Sequence, residues 1–458
     1  MKKNICYILL ILTLFISISI LNLCRLSQLG YAILMCSMFL VLLLILWSKS
    51  KIAPFFLFML VFSLFFVGGR FWAFILSPDE ELFYLQAGTF FLKDYINNDH
   101  WIITLSYIIC FMVFAVMGYC SRKRNYIVKI DFTNHRINYF LQLFFWPLAC
   151  MSVLTKLLDF IYAFRNGGYL AMYEGQTESY SSFSSLGDIL LYVSWGMAFT
   201  FGDKSVRKKY LILLLSLSVI TILIGSRGAF GSFLMLALWL YSQKHKINIQ
   251  KLFLIGAVSV SLLLLIFSFS IRALDADDVT GANVFSVFLY KQGVTLAVFD
   301  QSRDLINYPI IGYFQNFIPG SSFFYSHFIK PGAYPYELTF DGYLSYSLNE
   351  NEYMIGHGLG WSVLSDLYIY SLRNIFLFSI LAFFFGLICA IVENRSCKKP
   401  IYNVIMYSIF FRFMILPRAG LNTIVPFIWY VIAIYFIYVR LSMIIRHNIH
   451  NNKRLDYA

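Results

Sequence analysis

The sequence is short of charge. Only 13% of its 458 residues are Asp, Glu, Lys or Arg, against 60% hydrophobic and 19% aromatic. A soluble core of this composition would leave large apolar patches in water, so a soluble globular class is excluded. The eight cysteines, at 6, 24, 36, 110, 120, 150, 389 and 397, lie in or beside apolar runs and form no CxxC pair. That excludes a disulfide framework. No His/Cys ligand spacing and no Gly-rich phosphate loop of P-loop type occurs, so no metal and no cofactor are expected. No small-residue cleavage site follows the apolar run after Met1-Lys2-Lys3, and Leu21-Asn22-Leu23-Cys24 is a poor lipoprotein box. The start is therefore expected to be an uncleaved first helix. No internal repeat is visible.

What the chain has instead is a series of long apolar runs. These predict an all-α polytopic integral membrane protein, because helices satisfy their own backbone polar groups in lipid. About 12 transmembrane helices are expected, near 5–23, 30–47, 54–76, 101–120, 138–160, 188–202, 210–225, 228–242, 252–271, 373–392, 401–416 and 421–440. With the N-terminus in the cytoplasm, every inside segment is basic: Lys2 and Lys3, Lys49 and Lys51, the Arg122-Lys123-Arg124 run, Lys204 to Lys209, Lys244 to Lys251, Arg395 to Lys399, and the tail from Arg440. Asp131, Asp203, Glu393 and Asp456 are the only acids there. This is the positive-inside pattern, and it places both termini inside. It also excludes nucleic acid as the partner of the net charge of +13, because the basic residues are spread over short turns rather than gathered on one face.

Three regions follow: helices 1–9 (residues 1–271), a large outer loop (272–372), and helices 10–12 with the tail (373–458). The outer loop carries most of the acids, including Asp275, Asp277, Asp278, Asp300, Asp304, Glu337, Asp341, Glu350 and Glu352, with Pro309, Pro319, Pro331 and Pro335 as breakers. A connection this long is usually functional. Its many Tyr and Phe side chains suit the membrane interface or stacking on sugar faces. Residues 283–299 read as a short helix lying on the membrane. Asp275-Ala276-Asp277-Asp278 has the form of a DxD metal site, but it stands on the wrong side for nucleotide sugars.

Several arginines fall outside the inside set, among them Arg70, Arg227, Arg272, Arg303, Arg373, Arg412 and Arg418. Arg227 sits in a tight break, Gly225-Ser226-Arg227-Gly228, between two long helices. Small residues admit a ligand close to the backbone, and the helix start adds N–H groups and a positive dipole end. The guanidinium fork makes bidentate bonds to phosphate oxygens. Arg418, in the turn after Pro417, is the second candidate, followed by Arg272 and Arg412. Arginines at the outer face point to a lipid-linked phosphate substrate, whose energy must travel with the lipid. Within Gly356-His357-Gly358-Leu359-Gly360-Trp361-Ser362 and Asp366-Leu367-Tyr368, His357 or Asp366 is the candidate base for a sugar hydroxyl. If 360–370 is helical, Ser362, Asp366 and Tyr370 share one face.

Gly225-Ser226-Arg227-Gly228, Gly358-Leu359-Gly360-Trp361-Ser362 with Asp366-Leu367-Tyr368, and Pro417-Arg418-Ala419-Gly420 together resemble the Wzy-type O-antigen polymerases. The expected pattern has Glu-Leu-Tyr at Asp366-Leu367-Tyr368 and a Gly-containing turn at Ser371-Leu372-Arg373-Asn374. The resemblance implies a metal-independent membrane glycosyltransferase of the GT-C type in the bacterial inner membrane. It would join undecaprenyl-pyrophosphate-linked oligosaccharide repeat units at the periplasmic face, with a chain-length regulator protein as partner. Two alternatives stand beside it. An O-antigen ligase shares the arginines and the loop. A repeat-unit flippase would suit twelve helices but predicts internal symmetry, short loops and buried charges, of which Lys156 and Asp159 are the notable pair.

Overall fold

The computed structural model describes residues 3–23, 26–50, 52–76, 98–122, 132–165, 178–268 and 284–455. All secondary structure among them is helical. The long helices are α1 (Lys3–Leu23), α2 (Gln28–Ser50), α3 (Pro54–Leu76), α4 (Asn98–Ser121), α5 (His135–Arg165), α6 (Glu178–Phe201), α7 (Lys204–Ile224), α8 (Arg227–Lys244) and α9 (Ile249–Ser268). After the connecting region come α16 (Ile375–Ser396), α17 (Pro400–Ile415) and α18 (Val425–Leu455). They stand where the apolar runs predict them. Nine regions among the described residues are long and apolar enough to cross a membrane. The three expected spans outside that set are α6, whose apolar part is only Leu186–Phe201, α7, which opens with Lys204, Arg207, Lys208 and Lys209, and the 18-residue α8.

The connection is not a bare loop. It folds into α10 (Val284–Gln292), α11 (Val294–Asp304), α12 (Ile310–Gln315), α13 (Phe340–Leu348), α14 (Glu350–Ile355) and α15 (Val363–Tyr370), with shorter turns between. Side-chain caps set several starts: Thr339 accepts from Gly342 N–H, Asn349 from Glu352 N–H, and Ser362 from Ser365 N–H. Such caps are worth about 1 kcal/mol each. The expectation that 283–299 lies on the membrane is overturned. Leu296, Ala297, Val298 and Phe299 are buried, because α10 and α11 pack on α3.

The chain forms two compact units. The first holds residues 1–125, 277–391 and 412–424. Its centre is an aromatic ladder on α3, where Phe55, Phe58, Phe62 and Phe66 recur at helical spacing. Phe62 stacks on Phe111 at 4.8 Å, and Phe58 on Phe413 at 4.7 Å. Over Leu64–Trp72 the helix widens to π geometry. There Gly69 meets Gly293 backbone to backbone, with no room for a Cβ. A second close approach joins α4 to α16: a Cβ on Gly118 would strike the Phe383 carbonyl, and one on Gly386 the Ala115 carbonyl. Small residues of this kind let membrane helices pack by direct backbone contact.

The second unit holds residues 126–276, 392–411 and 425–458. Trp195 on α6 donates its indole N–H to the Tyr407 carbonyl at 3.1 Å, and Trp239 on α8 stacks on Phe410 at 5.2 Å. Asp203 caps α7 and exchanges two hydrogen bonds with the Asn138 amide. Lys156 and Asp159 pair within α5 at 3.2 Å.

Gly386→Val should separate α4 from α16. The overpacking costs about 1–3 kcal/mol and should lower the melting midpoint in detergent. Gly256→Val, where a Cβ meets nothing within 4 Å, is the control and should leave the midpoint unchanged.

Candidate active site

The site in the first unit is organised by Asp366, on the first turn of α15 and wholly buried. Its Oδ1 accepts from the Trp361 indole N–H at 2.8 Å and from the Asn316 amide at 3.0 Å. Its Oδ2 accepts from the Leu421 backbone N–H at 2.5 Å. One carboxylate thus gathers α15, the strand of chain leading into it, the end of α12, and the turn at 416–421. That turn carries Pro417-Arg418-Ala419-Gly420. Gly420 is required by contact: a Cβ there would lie 2.9 Å from the Trp361 ring and 3.0 Å from Asp366 Oδ2. Arg418 is exposed at the tip, and Arg412 donates to the Thr423 carbonyl at 2.9 Å, closing the same segment.

Burial pushes the Asp366 carboxyl up to about 7. The Leu421 N–H, the Trp361 indole and the Asn316 amide oppose that rise, while the Asp341 carboxylate adds to it. All three bonded groups are donors, so their geometry suits the ionised form; desolvation favours the neutral one.

His357 stands apart from Asp366 in its hydrogen bonding. Its Nδ1 pairs with Glu352 Oε2 at 2.7 Å, with both side chains about one-fifth exposed. A ring whose Nδ1–H is held by a carboxylate carries its lone pair on Nε2. The following segment is fixed by the Ser345 hydroxyl, which accepts from Leu359 N–H at 3.1 Å. Trp361 lies between Tyr308 and Phe340, with centroids 5.8 and 5.9 Å away. Ser362, the α15 cap, shares a hydroxyl chain with Ser365 and Ser302, which ties α15 to α11.

Arg373 does not pair with Asp366. Its guanidinium reaches back and donates to the Leu305 and Ile306 carbonyls at 2.6 and 2.9 Å. Leu372 and Arg373 both adopt positive φ, 52° and 64°. The turn where glycine is the family expectation therefore keeps a glycine-like backbone without the glycine.

In the second unit, Gly225 ends α7 with φ of 124°, Ser226 is extended, and Arg227 opens α8, half-buried. Arg272 and the run 275–278 lie outside the described residues. Among the described residues, no group of three or more His, Cys, Asp or Glu is arranged to hold a metal ion. Sequence reasoning missed Asn316; its one signal is the carboxamide pair Gln315-Asn316 within a charge-free apolar stretch. It also missed a buried cluster in which Arg303 meets Asp300 at 3.6 Å and Thr104 bonds Asp300 at 2.7 Å.

The sequence matches the family O-antigen polysaccharide polymerase Wzy over residues 3–448. The chain belongs to that family. Members of the Wzy family act on lipid-linked oligosaccharide repeat units in the membrane, so the chain is an integral inner-membrane polymerase. No curated protein and no solved structure matched it.

Two outcomes test this geometry. The folded carboxyl of Asp366 lies above its unfolded value of about 3.9, so the folded state holds the proton more tightly. Its contribution to stability is full below about pH 4 and is lost as pH rises through about 7. The melting midpoint of wild type, measured from pH 5 to 8, should fall more steeply than that of Asp366→Ala. Leu372→Gly, which relieves a left-handed residue on an exposed turn, should raise stability by about 1 kcal/mol, read in the same melts.

Proposed function

We propose that the chain transfers the growing glycan from its undecaprenyl pyrophosphate carrier to the next lipid-linked repeat unit at the periplasmic face. The observation that carries this reading is the Asp366-held turn, which sets exposed Arg418 beside the Trp361 segment. In the transfer, the bond between the donor's anomeric carbon and the pyrophosphate oxygen breaks. A glycosidic bond forms to an acceptor hydroxyl, and the hydroxyl proton leaves with a base. Arg418, with Arg412 on the same segment, takes the charge developing on the departing pyrophosphate; Arg227, at the start of α8, is the second unit's candidate for the same phosphate chemistry. His357, oriented by Glu352, takes the proton. Asp366, wholly buried and bonded by three donors, holds the turn rather than meeting the hydroxyl. A separate chain-length regulator protein sets the product size.

The test is the surface-glycan ladder of a deletion strain carrying each variant. Arg227→Ala and Arg418→Ala should each cut polymerisation by about 10² or more, collapsing the ladder to core plus one repeat unit. Arg→Lys should rescue poorly, because the planar fork is lost. Loss of every repeat-unit band in the deletion strain would instead indicate a ligase or flippase. A wild-type ladder from both arginine variants would overturn the pyrophosphate assignment.

A further inference from the structure

From 305 to 329 the chain has no Asp, Glu, Lys or Arg, although the connection around it is rich in acids. Across this stretch Ile310, Phe314, Ile318, Phe323, Phe324 and Phe328 are all exposed. The exposure is that of a lipid-facing side chain: Ile310 and Phe328 stand at 70% and 69%, against 69% and 70% for Phe164 and Phe253 on spans α5 and α9. An uncharged surface of this kind in water is an aggregation liability.

The helices in the stretch are too short to cross a bilayer. Ile310–Gln315 has six residues and Ser321–Phe324 four, followed by a π turn at Tyr325–Ile329. Their backbone bonds are largely made within the stretch: Ile318 N–H to the Phe314 carbonyl, Phe324 N–H to Gly320, and Lys330 N–H to Tyr325. Irregular backbone exposed to lipid is confined to interfacial depth, where water still reaches the remaining polar groups.

The opposite side of the stretch is pinned to the site. Arg373 bonds the Leu305 and Ile306 carbonyls, Tyr370 donates to the Tyr313 carbonyl at 3.0 Å, and Asn316 bonds Asp366. At its end, Lys330 pairs with Glu337 at 2.7 Å, where charged residues resume. The stretch thus has one face bonded into the protein and one face of bare phenylalanine and isoleucine.

We propose that residues 306–329 form an interfacial wedge, with Phe323, Phe324 and Phe328 seated below the lipid headgroups. The occupant of the apolar face is the bilayer, because an uncharged face on a chain that spans the membrane matches acyl chains and offers no charge to a soluble protein partner. Through Asn316, this wedge fixes the Asp366 carboxylate, and with it the Arg418 turn, relative to the membrane surface.

The experiment uses the full chain in liposomes of phosphatidylethanolamine and phosphatidylglycerol, with the eight native cysteines replaced and a nitroxide attached at Phe324→Cys or Tyr334→Cys. The label at 324 should be severalfold more accessible to oxygen than to a water-soluble nickel chelate, and the label at 334 should show the reverse. Phe328→Cys repeats the reading should the first variant fold poorly. Chelate access at 324 and 328 equal to that at 334 would overturn the proposal, as would labels at 324 and 328 shielded from oxygen and chelate alike, which would mean a protein contact. Because accessibility is read without any polymer being made, failure of the wedge and failure of the polymerase mechanism are distinguishable.

Discussion

A wholly buried carboxylate with three hydrogen-bond donors holds the large connection to the turn at 416–421 within the first unit. Burying an ionised carboxylate alone is prohibitive, so donors must meet its oxygens where water cannot. Asp366 is stable only while Trp361, Asn316 and the Leu421 N–H converge on it. The constraint works in both directions. The three segments are brought into register because none can leave without stranding a buried polar group. Arg418, two residues before Gly420, inherits its position from that register.

The scaffold around this centre relies on backbone contacts that only glycine permits. Gly118 and Gly386 bring α4 and α16 together, and Gly69 and Gly293 dock the helices of the large connection onto α3. In lipid the hydrophobic effect does not drive helices together, so direct packing of this kind carries the association. The π geometry at Leu64–Trp72 falls where α10 arrives, and it holds Arg70 under the ring of Tyr290, 4.5 Å from its centroid. Arg70 is among the most completely buried large side chains. Here a cation within an apolar helix is accommodated by an aromatic face rather than left to reach water.

The connection between α9 and α16 joins two chemistries. Its acidic, tyrosine-rich part, with Tyr336 stacked on Tyr346 at 3.8 Å, suits hydroxyl-rich ligands. Its charge-free part suits lipid. A substrate that is a glycan at one end and a lipid at the other needs both. The family to which the chain belongs works on such molecules.

Much of this was legible in residue order. Apolar runs foretold twelve long helices among the described residues, nine regions of which are long and apolar enough to cross a membrane, because the bilayer sets a minimum length and one backbone solution for a span. The short motifs were legible too: Gly225-Ser226 ends one helix and Arg227 begins the next, and Ser362 opens the helix that carries Asp366. What residue order could not tell was which side chains meet. Asn316 lies 50 positions from Asp366, and Leu421 lies 55 beyond it; no local spacing encodes either contact. Nor could it tell that 294–302 turns inward while 306–329 turns outward, since both are apolar and only packing on α3 separates them. Helix and membrane periodicity are local and survive in the sequence, whereas hydrogen-bond satisfaction of a buried charge is a property of the assembled fold, and tertiary structure alone decided it.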